Sequence, residues 1–287
     1  MTTVGIDVGG TKCHGVVADE KGAVVAELRR PTPHAGELID LLAEMHRELG
    51  GGSALGIGVP GLVTPEGIIK ASPNLKGAHD IEVGPRLRSA LGIPVHVEND
   101  ATSAAYAEWR VGAARGTDDA LIVTLGTGIG GGVVMGGQLQ RGAHGFAGEI
   151  GHMVVEADGI ECVCGRRGCW ERYASGSALK RLSGGMPGEE VFSRAMNGEE
   201  GSLAVVDDFA RWFCIGVASL TNVLDPQVVV VGGGVVDAWS VLHPAIARWL
   251  DRLLYSSDNR PQPTVRPAEL GPRAGAIGIA LLAADAA

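Results

Sequence analysis

The chain has 287 residues, 45% of them hydrophobic, enough to bury a sizeable core and, at this length, to divide into two domains. A formal net charge of −9 with no basic stripe argues against nucleic acid as a partner. No stretch reaches the roughly 20 apolar residues of a membrane span, and no basic segment precedes the first apolar run, so the expectation is a cytoplasmic protein without a membrane partner.

Residues 4–8 read as a strand, Gly9-Gly10-Thr11-Lys12 as a turn and residues 13–18 as a second strand. A turn over 19–22 leads to a third strand over 23–28. Leu38, Leu41, Leu42, Met45 and Leu49 have helical spacing and predict a helix over 37–49. Strands are expected over 54–59 and 94–97, and a helix over 102–111 after Asn99-Asp100. The pattern then restarts with an apolar strand over 120–125, a glycine-rich turn over 126–132 and a strand over 133–135. An offset of 117 residues lays Gly9 on Gly126, Thr11 on Gly128 and Gly15-Val16-Val17 on Gly132-Val133-Val134. The match is short and glycine-biased, so duplication and coincidence both stay open. Two helical stretches separate a cysteine-rich segment from a strand over 227–231, where Gly232-Gly233-Gly234 follows and opens another helix. Strands alternating with helices predict α/β domains with mixed sheets. The expected boundary lies near 112–116, giving domains 1–113 and 114–273, with a last helix at about 274–287 packing back on the first.

Glycine contributes 45 residues, roughly twice the usual share of about 7%, in clusters beside apolar runs, as expected where backbone must approach a ligand closely. A strand–glycine–strand hairpin brings backbone N–H groups to phosphate oxygens without Cβ interference. That reading takes in Gly9, Gly10, Thr11 and Lys12 in the first turn, Gly126, Thr127 and Gly128 in the second, and Gly232, Gly233 and Gly234 later. Neither hairpin is a Walker loop, since no G-x-x-x-x-G-K-[ST] occurs, nor a good dinucleotide fingerprint, since a strand rather than a helix follows each. Asp7 is an acid in an apolar strand; it is either an exposed edge residue or a water-mediated contact to Mg²⁺. Glu98-Asn99-Asp100 ends a strand ahead of a helix, where ligands collect in open α/β sheets. Asn99 or Asp100 can serve there merely as an N-cap. Beside two phosphate-type turns, Asp100 is the carboxylate chosen to accept an acceptor hydroxyl's proton. His152, Cys162, Cys164 and Cys169 form a Cys₃His set suited to a closed, structural zinc site. Cys13 and Cys214 read as ordinary buried thiols. Glu149, three residues before His152, and Glu171, two after Cys169, are either surface charges or carboxylates held by the metal loop for sugar hydroxyls.

Together these stretches resemble the ROK family of repressors, uncharacterised reading frames and sugar kinases. The matching segments are Gly5-Ile6-Asp7-Val8-Gly9-Gly10-Thr11-Lys12, Gly58-Val59-Pro60-Gly61, Ser72-Pro73-Asn74-Leu75, Glu98-Asn99-Asp100-Ala101, residues 125–132, Gly148-Glu149-Ile150-Gly151-His152, residues 162–171 and Val230-Val231-Gly232-Gly233-Gly234. Within the family the resemblance is to bacterial ATP-dependent glucokinases. It implies an actin-like, hexokinase-like (ribonuclease H-like) two-domain α/β fold with a ligand cleft between the domains, and ATP with Mg²⁺ as phosphoryl donor. It implies Asp100 as general base for the 6-hydroxyl of a hexose. Asn99, Glu149, His152 and Glu171 become sugar contacts, with His152 also a zinc ligand. A homodimer or dimer of dimers is the implied assembly. Thr102 stands where many relatives have Asn, and Ala78-His79 where many have an aromatic residue. Other acceptors (N-acetylglucosamine, N-acetylmannosamine, fructose), polyphosphate as donor, and a sugar-sensing repressor lacking its DNA-binding domain are the alternatives.

Overall fold

A computed structural model of the chain describes every residue except Met1, Pro73, Asn74, Lys76 and Ala78. The Ser72-Pro73-Asn74-Leu75 segment and position 78 therefore fall partly outside the described residues. The chain divides into two compact units: residues 1–116, 139–148 and 269–287 form the first, and residues 117–138 and 149–268 the second.

In the first unit, strands β1 (Thr2–Val8), β2 (Lys12–Asp19), β3 (Val24–Pro31) and β4 (Leu55–Val59) precede a small sheet of β5 (Leu62–Val63), β6 (Ile69–Ala71) and β7 (His79–Ile81). Strand β8 (Val95–Asn99) then completes a five-stranded sheet in the order β3-β2-β1-β4-β8. Val4, Ile6 and Val8 of β1 pack with helices α1 (Leu38–Glu48) and α2 (Val83–Leu91) in one core. The alternate residues Gly5 and Asp7 face the other way, as the two-residue period of a strand requires. On that side lie α3 (Asp100–Arg110) and, from the end of the chain, a helix buried over residues 274–283.

In the second unit, β9 (Ala120–Leu125), β10 (Ile129–Met135), β12 (Val228–Gly233) and β13 (Thr264–Pro267), with β11 (Gln138–Leu139) whose second residue belongs with the first unit, form a sheet in the order β11-β10-β9-β12-β13. Between β11 and β12 run α4 (Glu171–Ala174), α5 (Gly176–Leu182), α6 (Gly188–Met196) and the long α7 (Glu200–Leu224), four helices where the sequence predicts two helical stretches. Helix α8 (Trp239–Leu253) follows β12, and α9 (Ala274–Asp285) ends the chain in the first unit. Trp170, Phe209 and Phe213 lie wholly buried at the centre of this second core.

The two sheets share strand order and sense. Strands β1 and β2 are antiparallel and β1 and β4 parallel, just as β9 and β10 are antiparallel and β9 and β12 parallel. Strand β1 ends at Val8 and β9 at Leu125, while β2 starts at Lys12 and β10 at Ile129, both pairs 117 residues apart. The offset seen in the sequence is thus matched by topology and register, which favours duplication over coincidence.

The structure departs from expectation in the glycines. Many of them serve packing. A Cβ on Gly5 would come within 2.2 Å of the Ala276 carbonyl oxygen, and one on Gly56 within 2.1 Å of that of Ile279, so α9 lies directly on the sheet. The second turn is confined to residues 126–128, because Gly130, Gly131 and Gly132 belong to β10. Gly131 there leaves room for Ile150, whose side chain would be 2.4 Å from a Cβ. Gly232 and Gly233 likewise belong to β12, and a Cβ on Gly233 would meet the Leu125 carbonyl oxygen at 2.0 Å. A short 3₁₀ turn over Gly234–Ala238 precedes α8, so Gly234 opens no α-helix. Residues 139–148 and 269–273 belong with the first unit, whereas the sequence placed them in the second domain.

Candidate functional site

In the first unit the N–H of Gly9 donates to the Lys12 carbonyl at 2.9 Å and closes the first hairpin. Thr32 braces it from β3's end, donating its hydroxyl to the Gly9 carbonyl at 2.6 Å. Gly10, Thr11 and Lys12 are left exposed at the tip, with backbone available to an anion. Asp7 stands one residue before the end of β1, on the α9 face. A Cβ at Gly275 of α9 would lie 2.8 Å from its Oδ2, and one at Gly58 3.4 Å from its Oδ1. Two glycines therefore make the space this carboxylate occupies. Its Oδ1 is buried and has no hydrogen-bond partner among the described residues.

Asn99 ends β8 and caps α3: its Oδ1 accepts the Thr102 N–H at 3.0 Å and its Nδ2 donates to the Gly61 carbonyl at 3.1 Å. The helix therefore starts at Asp100, two residues earlier than the sequence predicts. Thr102 is 3% exposed, so the residue flagged as a departure from many relatives has its side chain in the interior. Asp100 accepts the Ala101 N–H on Oδ1 at 2.8 Å, which fixes the carboxyl plane. Burial raises the Asp100 pKa, only partly countered by the Ala101 N–H. Burial, and secondarily the charge of Asp100, push Asp7 up to about 7. Two like charges thus share a poorly solvated place, the arrangement that a cation relieves.

An observable follows for stability. Asp7 has a folded-state pKa above its unfolded value of 3.8. Its contribution is complete below that unfolded value and is lost as pH rises through about 7, because ionisation is easier in the unfolded chain. Without nucleotide or divalent cation, Asp7→Asn should therefore be more stable than wild type at pH 8, by about 1–3 kcal/mol. The gain should shrink at pH 5. Thermal unfolding at both pH values, in chelator, checks this; a variant no more stable than wild type at pH 8 would mean that Asp7 is well solvated.

In the second unit the Gly126 N–H donates to the Gly128 carbonyl at 3.0 Å. The start of α5 takes up the turn's outward carbonyls: Gly176 N–H donates to Gly126 at 2.8 Å and the Ser177 hydroxyl to Thr127 at 2.8 Å. Glu149 stands immediately before a single 3₁₀ turn (Ile150–His152), which brings its carboxylate to 3.8 Å from His152 Nε2. The other ring nitrogen, Nδ1, faces Cys162 Sγ at 3.9 Å, and Cys164 and Cys169 sulfurs are 3.6 Å apart. All four donor atoms lie within 4.8 Å of one another. Tetrahedral zinc with Zn–S near ~2.3 Å needs sulfurs about 3.8 Å apart, so the set fits such an ion. Burial and the Glu171 carboxylate push the Cys162 thiol well above the ordinary range, and a bound cation would reverse that. Gly165 and Gly168 take φ of +83° and +77° to fold the loop back, and at Gly168 a Cβ would overlap the Glu156 carbonyl oxygen at 1.8 Å. Trp170 anchors the loop's end, wholly buried, its ring stacked on Phe213 at 5.8 Å and seated over Gly216. Glu171 starts α4; its Oε1 accepts from Cys162 Sγ at 2.9 Å, and its Oε2 lies 2.4 Å from where a Cβ on Gly128 would stand.

Within each unit, then, the expected residues converge: Asp7, Asn99 and Asp100 near the first hairpin, and Glu149, His152, Glu171 and the cysteines near the second. Cys13 and Cys214 are buried thiols, Cys13 beside the first hairpin with its Sγ 3.7 Å from the Thr32 hydroxyl. The sequence reading gave no role to two buried acids, Glu98 and Glu108, or to their partners. Glu98 is paired with Arg141, and Glu108 accepts the N–H groups of Ala113, Glu269 and Leu270, tying α3 to the chain before α9. His96 lies beside Glu98. An acid at a valine-like strand position was the available signal for Glu98; its partner's position had none. No helix among the described residues is long and apolar enough to cross a membrane.

Two mixed sheets of one strand order, each with a glycine hairpin after its central strand, define a two-domain α/β protein with a hexokinase-like fold. The sequence model of the ROK family matches residues 3–286, and the chain belongs to that family. It is 35% identical to a glucokinase of Streptomyces coelicolor over 99% of this chain and 98% of that one. Among solved structures, a ROK family glucokinase from Streptomyces griseus in complex with glucose and AMPPNP aligns with a TM-score of 0.89 at 35% identity, covering 99% of this chain and 100% of that one. A ROK hexokinase from Thermus thermophilus aligns with a TM-score of 0.85 at 38% identity, covering 100% and 99%.

Proposed function

We propose that this protein is an ATP-dependent hexokinase that phosphorylates the 6-hydroxyl of glucose. The observation that carries the reading is the full-length similarity to glucokinases, one of them holding glucose and an ATP analogue, in a chain that keeps a poorly solvated Asp100 at the start of α3. Asp100 is the general base: its carboxylate orients the sugar hydroxyl and takes its proton as the phosphoryl group transfers. Asn99 holds the same end of the sugar. Glu149, His152 and Glu171 bind the hydroxyls at the far end of the ring, a task that suits carboxylates because they accept charge-assisted hydrogen bonds. Gly9, Gly10, Thr11, Lys12, Gly126, Thr127, Gly128, Gly232, Gly233 and Gly234 form the backbone groups that receive the phosphates. Asp7 faces a magnesium ion through water, and that ion, bound with ATP, supplies charge neutralisation to the phosphates. The reading includes a cytoplasmic location and a homodimer or dimer of dimers. An assay of ADP release across glucose, fructose, N-acetylglucosamine and N-acetylmannosamine, with ATP and with polyphosphate, tests it. Glucose with Mg-ATP should be used best; no sugar-dependent ADP release would overturn it.

The metal is structural zinc held by His152, Cys162, Cys164 and Cys169, since all four positions are filled by protein. Its ligand nitrogen is Nδ1, which leaves His152 Nε2 for a sugar hydroxyl. Freshly purified protein should contain about one zinc per chain, and Cys169→Ser should lose it together with thermal stability. Metal analysis of chelator-free wild type decides the point, and a zinc-free preparation would count against it.

A further inference from the structure

The strand that delivers Asn99 and Asp100 carries a further acid to which the kinase reading gives no role. Glu98 is 4% exposed. Its Oε1 accepts the Asn99 N–H at 3.1 Å, and its Oε2 accepts from Arg141 Nε at 2.6 Å. His96 Nε2 lies 3.8 Å from the same Oε2 and is itself buried without a hydrogen-bond partner among the described residues. Burial by itself would raise the Glu98 pKa, but the neighbouring His96 and the Arg141 guanidinium outweigh it and hold the carboxyl below its ordinary range. The group is therefore a buried anion, and removing a partner from such a group is far more disruptive than removing a surface ion pair.

The partner's location is as telling as the bond. Arg141 belongs to residues 139–148, which lie with the first unit although the chain on either side belongs to the second. This loop is shaped to be held. Gly142, Gly145 and Gly148 take φ of +70°, +83° and +102°, conformations that side chains disfavour. The Ala147 N–H donates to the Arg141 carbonyl at 3.1 Å and closes the loop on itself. Gly145 lies so near β5 that a Cβ would come within 2.7 Å of the Val63 carbonyl oxygen. The chain then leaves directly into Glu149.

We propose that Arg141 is a positioning residue for phosphoryl transfer, acting through Glu98 to fix the end of β8 from which Asn99 and Asp100 project, and in the same contact fixing the loop that continues to Glu149. The proposal rests on the kinase reading for its functional consequence. A base displaced by about 1 Å loses roughly 10²-fold in rate, so a loosened strand end should be visible in kinetics.

The test compares Arg141→Met, Arg141→Lys, Glu98→Gln and the Arg141→Met/Glu98→Gln double variant, each checked for folded fraction by thermal unfolding. Arg141→Met keeps much of the apolar stem and removes the charge. It should lower kcat/KM for the sugar by roughly 10- to 100-fold while KM for ATP stays within about twofold. Arg141→Lys should recover part of the loss, and the double variant should be no worse than Arg141→Met alone, since both changes break one contact. Sugar kinetics within about twofold of wild type, a fall that only tracks lost folded protein, or additive losses in the double variant would each overturn the proposal. If wild type shows no sugar-dependent ADP release, the kinase reading fails separately. Amide hydrogen exchange then decides the anchoring: faster exchange in both 98–101 and 139–148 of Arg141→Met supports it, and unchanged exchange in either overturns it.

Discussion

Asp100→Asn is expected to lower kcat by roughly 10²–10⁴ while leaving KM for ATP within about twofold. The asymmetry follows from where the side chain stands. Its Oδ1 is held by the Ala101 N–H at the first turn of α3, so the substitution keeps the shape and this local bond. The phosphate-binding groups proposed for ATP are backbone atoms of hairpins that the substitution does not touch. What is lost is a group able to accept a proton from the sugar hydroxyl. Burial makes Asp100 a better base than a solvated aspartate by raising its pKa, with no metal needed for that effect. The same shift sets the pH behaviour. Activity requires the ionised form, so kcat/KM should rise with pH through a value above the ordinary aspartate range of 3.8, and Asp100→Asn should abolish that limb. Steady-state kinetics against pH with both substrates varied measure both effects. A variant retaining more than about a tenth of wild-type kcat would remove Asp100 from the mechanism.

What could be read in the sequence was local, and what could not be read was distant. The strands were visible because β1, β4, β9 and β12 are buried apolar runs bounded by glycine. The metal set was visible because its three thiols fall within eight residues and their chemistry has few alternatives. The glycine clusters were misread in part, since composition does not tell backbone approaching a phosphate from backbone approaching a helix. Gly5, Gly56 and Gly131 do the latter. Glu98 and Arg141 are 43 residues apart, and Glu108 and Leu270 are 162 apart. No periodicity reports such pairs, because topology alone brings them together. The assignment of residues 139–148 to the first unit failed to show in the sequence for the same reason: it depends on the Glu98 contact and on the close approach of Gly145 to β5.

Glu171→Ala is expected to raise KM for the sugar by roughly 10- to 150-fold, with KM for ATP little changed. The range corresponds to losing one hydrogen bond to a charged group, about 1.5–3 kcal/mol. Such a contact exists before and during transfer, so its loss should appear mainly in KM and less in kcat. The sequence offered only a position two residues past Cys169; the structure adds what fixes the carboxylate there. Trp170 on one side is wholly buried against Phe213 and Gly216, which sets the start of α4. Cys162 Sγ holds Oε1 at 2.9 Å, and Oε2 fills the place where a Cβ at residue 128 would stand. A surface charge would have neither constraint. A second variant separates the carboxylate from its position: Gly128→Ala must push Oε2 aside, because 2.4 Å is too close for any Cβ contact, so it should also raise sugar KM while the Glu171 side chain itself is kept. Initial-rate kinetics with sugar and Mg-ATP varied independently will decide both. If Glu171→Ala leaves sugar KM within about twofold of wild type, Glu171 belongs to the metal loop alone and the sugar contacts assigned to the second unit have to be sought elsewhere.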